Sequence, residues 1–376
     1  MKCTLNDIVF EYTEKNADGM YRPVAVGKYG IRQRSDIYKK ELAKDYSKNK
    51  VIHNNTMIIG MGSTQIDFGV LCEDEVYSVS PAYHTFNINT SLIRSKYFDY
   101  LLQAKNKSYT KKYMIASARQ GKTVNLKDLL KEQIEIPVFE MQDEIVKNID
   151  LIKELVSKEE KYLNLLKELV KSRFIEMFGD IDNKPSRWTI AKIQDIAKCV
   201  AGATPSTSRH EYWENGTIPW LSSGEVNKYR IYDTNTKITR LGYDSTSTKL
   251  IPPHTVVLAM AGQGKTRGTV AMAEIELCTN QSICSLVTNK KMNPDFLLFY
   301  LKEQYEQLRA ASNGEGGRGG LNLKIIGAFP IMVPPIELQN KFAAFVEQVD
   351  KSKFVVQERI KLYLELLNKK MDEYFN

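Results

Sequence analysis

The chain is 376 residues long, enough for two or three domains with a core each, and its 53 basic and 45 acidic side chains leave a net charge of +8. No apolar run reaches membrane-spanning length, and the start Met-Lys-Cys-Thr-Leu-Asn is not that of a secretory signal. Five scattered cysteines without a CxxC pair and four isolated histidines exclude a disulfide framework and a zinc module, so the expectation is a soluble, reduced, cytoplasmic protein with a polyanionic partner.

Residues 1–137 mix short apolar runs with basic loops. Thr56-Met-Ile-Ile59 and Val76-Tyr-Ser-Val79 have the composition of strands, and Ser95-Lys-Tyr-Phe-Asp-Tyr-Leu-Leu-Gln103 that of a short helix. Gly27-Lys-Tyr-Gly-Ile-Arg-Gln-Arg-Ser35 and Gly60-Met-Gly-Ser-Thr-Gln65 read as turns. A long helix is predicted over 141–178, a stretch without Gly or Pro. Alternating steps of four and three meet Ile145, Ile149, Ile152, Val156, Glu159, Leu163, Leu166, Val170, Arg173 and Met177, eight of them apolar. At 1.5 Å per residue such a helix spans about 57 Å, and its narrow seam needs a partner. Gly179-Asp-Ile-Asp-Asn-Lys-Pro-Ser186 ends it. Residues 180–334 return to strands and Gly, Ser and Thr loops. A second long helix is predicted over 336–375, with Phe342, Val346, Val349, Val356, Ile360, Tyr363, Leu367 and Tyr374 on its seam, interrupted by Lys353 and Lys370.

The chain repeats itself. Pro137-x-x-Glu140-x-Gln142 returns as Pro334-x-x-Glu337-x-Gln339, and Leu126-Lys127 as Leu323-Lys324, both 197 residues later. Leu5-Asn-Asp-Ile8 resembles Ile193-Gln-Asp-Ile196, and Phe98-Asp-Tyr-Leu-Leu102 resembles Leu297-Leu-Phe-Tyr-Leu301. The charge follows the same plan. Residues 1–136 hold 21 basic and 15 acidic side chains and 179–334 hold 18 and 14, whereas 137–178 hold 7 and 9 and 335–376 hold 7 and 7. The expected fold is mixed α/β (α+β): globular domains at 1–137 and 180–334, long helices at 138–179 and 335–376, and a pseudo-twofold internal repeat. The two helices would pair as an antiparallel coiled coil and hold the domains apart.

Two motifs suggest chemistry and fail on context. Ala259-Met-Ala-Gly-Gln-Gly-Lys-Thr266 fits a permissive phosphate-loop pattern, but Arg267-Gly-Thr-Val-Ala-Met-Ala273 follows it as a strand and not as the helix whose amides would hold phosphate. Asn293-Pro-Asp-Phe296 lacks the second proline of an amino-methyltransferase motif and has no Gly-rich loop upstream. What remains are polar and aromatic loops on basic domains. In the first domain these are Tyr29, Arg32, Gln33 and Arg34, then Tyr83 and His84, then Arg119, Gln120 and Lys122. In the second they are Arg209, Trp220, Ser222, Ser223, Gln263, Lys265, Arg267, Gln281 and Arg318. Arg and Gln can bond bidentately to guanine and adenine edges, while Lys and Ser suit phosphates. Taken singly, each is what any solvated surface carries, and Trp220 after Ile218-Pro219 equally suits a core.

The second half carries a familiar succession: Trp188 with Ile193-Gln-Asp-Ile196, Gly202-Ala-Thr-Pro-Ser206, Tyr212-Trp213 with Gly216-x-Ile-Pro-Trp220, Lys249-Leu-Ile-Pro-Pro253, Asn280-Gln281, and Pro334-Pro-x-Glu-x-Gln339. In this order, before a long helix and inside a tandem repeat, it resembles the target-recognition domains of specificity subunits of Type I restriction–modification systems. Residues 1–125 match in plan only and lack the Thr-Pro-Ser and Tyr-Trp markers. The resemblance implies a non-catalytic subunit for a bipartite double-stranded DNA target, one half read by each domain and the spacer set by the helices. It implies no cofactor on this chain. Two modification (methyltransferase) subunits would bring S-adenosylmethionine, and restriction subunits, where present, ATP and Mg. A self-sufficient nucleotide- or methyl-donor-using enzyme and a coiled-coil scaffold are the alternatives.

Overall fold

A computed structural model describes residues 1–27, 30–34, 45–117, 121–180, 188–262, 264–312 and 320–376. The chain divides into two compact units, one of Met1–Lys161 with Gln357–Asn376 and one of Tyr162–Val356. The division falls inside both long helices, Phe139–Phe178 and Ile336–Phe375. Each unit therefore contains the start of one long helix and the end of the other.

The first unit is built on a four-stranded antiparallel sheet in the order Val9–Glu11, His84–Ile88, Thr56–Met61, Ile66–Leu71. Thr56–Met61 and Ile66–Leu71 are mostly apolar and buried on both faces along nearly their whole length, as near-continuous apolar runs require. One face receives the helix Ser95–Tyr113, ten residues longer than the short helix predicted. Nothing between Gln103 and Tyr113 breaks it, and Tyr109 and Tyr113 continue its buried stripe. The hairpin of Val24–Gly27 and Gly30–Gln33 lies near the edge strand, where a Cβ on Gly69 would come 2.7 Å from Ile31. Lys2–Thr4 pairs with Gln133–Glu135, so the chain closes on itself just before the long helix begins.

The second unit repeats this plan. Ala197–Ala201, Ile283–Thr288, Thr255–Ala259 and Val270–Ala273 stand in the same order with the same antiparallel senses, and Arg230–Ile231 adds a fifth, parallel strand. Pro294–Glu303 takes the place of Ser95–Tyr113, and Thr189–Lys192 pairs with Pro330–Val333 as the closing ladder. A second sheet, Thr236–Ile238, Ile218–Leu221 and Cys278–Thr279, belongs to this unit and houses the Ile-Pro-Trp marker, while Tyr212-Trp213 ends a short helical turn ahead of it. Its Ile218–Leu221 and Cys278–Thr279 run parallel, whereas Lys50–Ile52 and Tyr77–Val79 in the first unit run antiparallel.

The repeated motifs now have physical reasons. Asn125 and Asn322 each cap a short helix, accepting from Asp128 N at 3.4 Å and Ile325 N at 2.9 Å. Gln142 and Gln339 are buried in the first turn of each long helix. Gln142 donates to Pro137 O at 2.9 Å and Leu92 O at 3.4 Å and accepts from Arg94 N at 2.7 Å. Gln339 donates to Pro334 O at 2.7 Å and Lys291 O at 3.1 Å and accepts from Asn293 N at 2.9 Å. Arg94 and Asn293 are the N-caps of the helices that cover the sheets. One amide thus ties three segments in each unit.

The seam is buried at both ends of the central helix, at Ile145, Ile149 and Ile152 and again at Leu166 and Val170, while Val156, Glu159 and Leu163 between them are half-exposed. In the first unit Asn148 Nδ2 meets Tyr374 Oη at 3.1 Å and Arg359 pairs with Glu159 at 3.0 Å, so the two helices run antiparallel there. Two residues off the predicted seam, Phe174 and Phe178, are almost fully buried. Here the helix leaves a narrow two-helix contact for a globular core, and its apolar stripe widens to meet Phe296, Phe299 and Phe342 at ring distances of 5.0–5.8 Å. Phe375, 197 residues after Phe178, packs likewise on Tyr97 in the first unit, 5.4 Å away.

Gln339→Ala leaves the Asn293 amide and the Lys291 and Pro334 carbonyls, buried or part-buried, without this partner. The expected loss is about 2–4 kcal/mol in chemical denaturation, and Gln142→Ala should act similarly. A change below about 0.5 kcal/mol, the scale of an ordinary surface substitution, would refute the proposed tie.

Candidate nucleic-acid interface

In the second unit the strand register gathers several loops at one sheet edge. Ala201 lies opposite Cys284, Ala259 opposite Ile283 and Leu258 opposite Val270. The loop after Ala201, the residues before Ile283 and the 260–269 loop therefore emerge together. Leu221 sits beside Thr279 in the second sheet, and Asn280 N bonds Leu221 O at 3.0 Å, which brings Ser222 and Ser223 to the same edge. A Cβ on Gly202 would stand 1.9 Å from Thr279 O, so only glycine lets the first loop leave this crowded corner.

Inside the edge stands a frame. Trp220 is 7% exposed and donates its indole N–H to Ala203 O at 3.0 Å. Trp213 donates to Ser206 O at 3.0 Å, and the two indoles meet edge to face at 5.1 Å. Trp220 thus holds the 202–209 loop from beneath. Ser222 bonds the buried Glu225 carboxylate at 3.2 Å, which also accepts Lys228 at 2.7 Å and Asn235 N at 2.9 Å. These bonds hold the Glu225 carboxyl below its ordinary pKa against the opposing pull of burial. Ser223 is half-buried beside it. The outward residues are others. Lys265 is exposed at the tip of its loop and Arg267 is half-buried at its base. Gln281 is exposed, its carbonyl taken by Thr204 Oγ1. Arg209 is exposed beside Tyr212, whose hydroxyl it meets at 3.0 Å.

The Lys265 loop is positioned from behind. Arg309 Nη1 donates to Gly264 O at 2.7 Å and Arg267 O at 3.3 Å, and Tyr305 Oη donates to Lys265 O at 2.9 Å. Gly262, Gly264 and Gly268 have φ of 138°, 63° and 87°, the left-handed backbone that so tight a loop needs. It leads into the strand Val270–Ala273 and not into a helix whose first amides could hold phosphate. Sequence reasoning missed Tyr305 and Arg309. They act on backbone carbonyls, and no local pattern marks such contacts.

In the first unit His84 is exposed at the head of its strand, opposite Ile59. Partial burial and Lys50 keep its pKa below the usual histidine value. The Tyr83 ring covers Gly60, where a Cβ would fall 2.1 Å from a ring carbon, and its hydroxyl reaches Val26 O at 3.3 Å. Lys122 is exposed on a strand against Thr56–Met61. Arg32 and Gln33 lie elsewhere, lining a cleft of about 470 Å³ with Lys96, Asp99 and Lys153. Arg34 stacks toward Tyr46, 5.8 Å from its ring centre. Tyr29, Arg119, Gln120, Gln263 and Arg318 lie outside the described residues. The structure thus brings Arg209, Trp220, Ser222, Ser223, Lys265, Arg267 and Gln281 to one edge. In the first unit Tyr83 packs on the hairpin that carries Arg32 and Gln33, whereas His84 lies on the strand beside Thr56–Met61 and Lys122 on a strand against it. Among the described residues no three His, Cys, Asp or Glu side chains converge as metal ligands, and no helix is long and apolar enough to cross a membrane.

Two like units, each a helix-backed antiparallel sheet with loops collected at one edge, define a tandem-domain protein of recognition loops on rigid frames. The sequence profile of the Type I restriction modification DNA specificity domain matches residues 4–168 and again 185–366, and the chain belongs to that family. It is similar to the specificity subunit of the Type I restriction enzyme EcoR124I/EcoR124II of Escherichia coli, at 23% identity over 62% of this chain and 58% of that one. It is also similar to the MjaIX specificity subunit of Methanocaldococcus jannaschii, at 31% over 48% of this chain and 43% of that one. The matches span about half the length of these relatives. In fold it resembles the S subunit of a Type I restriction–modification system from M. genitalium, with a TM-score of 0.59 and 15% identity over 99% of this chain and 95% of that one. It likewise resembles a chain from work on complex assembly and conformational transition of the type I R-M system, with a TM-score of 0.61 and 16% identity over 100% and 97%.

Burial in the cleft lifts the Asp99 carboxyl from 3.8 to about 6, with Lys153, Val70 N and Gln103 pulling it back. Because the folded value is the higher one, the folded chain binds this proton more tightly than the unfolded chain does. The associated stability is present below about pH 4 and lost as pH rises through about 6. Asp99→Asn should therefore raise stability by about 1–3 kcal/mol at pH 7–8, with the gap closing near pH 4. Thermal melts of both proteins across that range are the check, and a pH-independent difference would refute the assignment.

Proposed function

We propose that this chain is a non-catalytic DNA-recognition subunit, each unit reading one half of a bipartite double-stranded target. The observation that carries the reading is the double family match laid on two units that repeat one sheet plan. The basic excess of both globular segments supports it, since phosphate contacts supply affinity and base contacts supply specificity. In this reading, Lys265 and Arg209 serve phosphates, Gln281 and Arg267 serve base edges, and Trp220 and Ser222 hold the loops that carry them.

Methylation would belong to two modification subunits carrying S-adenosylmethionine, and cleavage to ATP- and Mg-dependent restriction subunits where these accompany the complex. Tyr162, Leu165 and Leu169 are exposed apolar residues on the central helix, Leu155 is half-exposed, and a subunit surface covering them would remove them from water. The long helices would set the number of base pairs between the half-sites, the general consequence of fixed protein geometry on a two-part site.

Co-expression with a modification subunit, followed by mapping of methylated adenines, should return a two-part motif with a fixed gap. A single contiguous motif, or no sequence preference, would sink the reading. Replacing Gln263 or Arg267 should relax one half only. Lengthening the central helix by one or two turns should lengthen the gap and leave both half-sequences intact; a changed half-sequence with an unchanged gap would count against the helix as the spacer.

A further inference from the structure

The register of the two sheets shows that the first unit has a counterpart of the Lys265 loop at a place the sequence motifs do not mark. Met57 lies opposite Phe86 and Val70, and Val256 lies opposite Leu286 and Met272, so Met57 and Val256 hold one position. Both strands begin with a fully buried threonine, Thr56 and Thr255. Each threonine follows a non-glycine residue in the left-handed region, Asn55 at φ 64° and His254 at φ 59°. Read forward from there, Met61 falls on Met260, and Gly62 falls on Ala261, one residue before Gly262. The counterpart of the Lys265 loop is therefore the tight hairpin of residues 62–65, closed by Gly62 N to Gln65 O at 2.9 Å.

A second, independent observation concerns how the two loops are held. Asn106 and Thr110 lie 11 and 15 residues beyond Ser95, the first residue of their helix, and Tyr305 and Arg309 lie 11 and 15 beyond Pro294. Asn106 donates to Ile66 O at 3.0 Å, and Thr110 Oγ1 accepts from Ile66 N at 3.0 Å. Tyr305 and Arg309 grip the backbone at Gly264, Lys265 and Arg267 from the short helix Tyr305–Ala311, which follows Pro294–Glu303 after a break at Gln304. An i, i+4 pair at the same offset thus fixes the loop in each unit, with different chemistry. At the hairpin tip Ser63 and Thr64 are exposed, with His84 opposite Ile59 and Lys122 on the neighbouring strand.

We propose that the 62–65 hairpin is the base-reading loop of the first unit, with Ser63 and Thr64 as specificity-determining residues and Asn106 and Thr110 as positioning residues. The inference rests on the two-half DNA reading above. Hydroxyls accept from or donate to any base edge, and the Thr64 methyl can pack on a thymine methyl. Such a tip reads shape and methyl groups where the second unit's loop offers cations.

The experiment uses the full chain co-expressed with its modification subunits, reading methylated adenines genome-wide. Ser63→Ala combined with Thr64→Ala should relax one or two base pairs in one half-site by roughly fivefold or more. The other half should keep its full preference, which also reports correct folding. Thr110→Val should relax the same positions and Thr110→Ser should restore them, a pattern that simple loss of stability would not give. If the unaltered chain yields the two-part motif and the hairpin variants leave both halves untouched, the inference fails alone. If the unaltered chain yields no two-part motif, the underlying reading fails and takes the inference with it.

Discussion

Everything else in the fold depends on one buried amide at the head of each long helix. Gln142 and Gln339 each bond the strand end that precedes their helix and the loop that caps the helix over the sheet. A buried amide satisfied on both its carbonyl and its NH₂ fixes direction as well as position, because any rotation strands a polar group in apolar surroundings. The start of the long helix is therefore fixed within its own unit. Its far end is set chiefly by packing, through Phe178 among Phe296 and Phe342 and through Phe375 against Tyr97, with Trp188 Nε1 donating to Phe178 O at 2.7 Å and Asn148 Nδ2 to Tyr374 Oη at 3.1 Å. Hydrogen bonds orient the helix at its start, and burial of large rings holds it at its end.

Between these fixed points the two units solve the same junction with opposite charges. In the second unit Arg230 bonds Glu274 and, at 2.6 Å, Asp295, and its Nε lies 3.7 Å from Asp350 on the C-terminal helix. At the repeat offsets of 199 and 197 from Asp295 and Asp350, the first unit has Lys96 and Lys153. Lys153 is half-buried over the Tyr100 ring at 4.0 Å, and burial pushes its pKa down. One junction is filled by an arginine that neutralises surrounding carboxylates; the other stays an open cleft lined by lysines around a raised Asp99. Since a buried ion cluster yields little net stability over a well-packed apolar one, the two units need not fill the junction alike. What the repeat keeps is the junction itself.

This distinction explains what could be read from the sequence. The Pro-x-x-Glu-x-Gln motif stood out because both units need one side chain, glutamine, with a donor and an acceptor in the same place. The helix seam stood out because its period is set by the helix itself. It misjudged Phe174 and Phe178, since the stripe widens where a partner helix gives way to a core. The second unit's loops were partly legible because Trp213, Trp220 and Gly202 are demanded by the frame. The 62–65 hairpin was not, because Gly-Ser-Thr-Gln between strands looks like any turn. Its equivalence to the 260–269 loop shows in strand register, in backbone angles at Asn55 and His254 and in the side chains that grip each loop, none of which a local motif marks.

The frame also shows how one architecture can present different recognition surfaces. Nearly every contact that holds a loop ends on the loop's backbone: Trp220 on Ala203 O, Trp213 on Ser206 O, Arg309 on Gly264 O, Tyr305 on Lys265 O, and Asn106 and Thr110 on Ile66. A backbone carbonyl is the same whatever side chain it carries. The frame therefore places almost no demand on the residues at the loop tips, and those tips can carry Lys265 in one unit and Ser63 with Thr64 in the other without disturbing the sheet beneath. Separation of holding from reading is what lets a repeated fold serve two unlike half-sites.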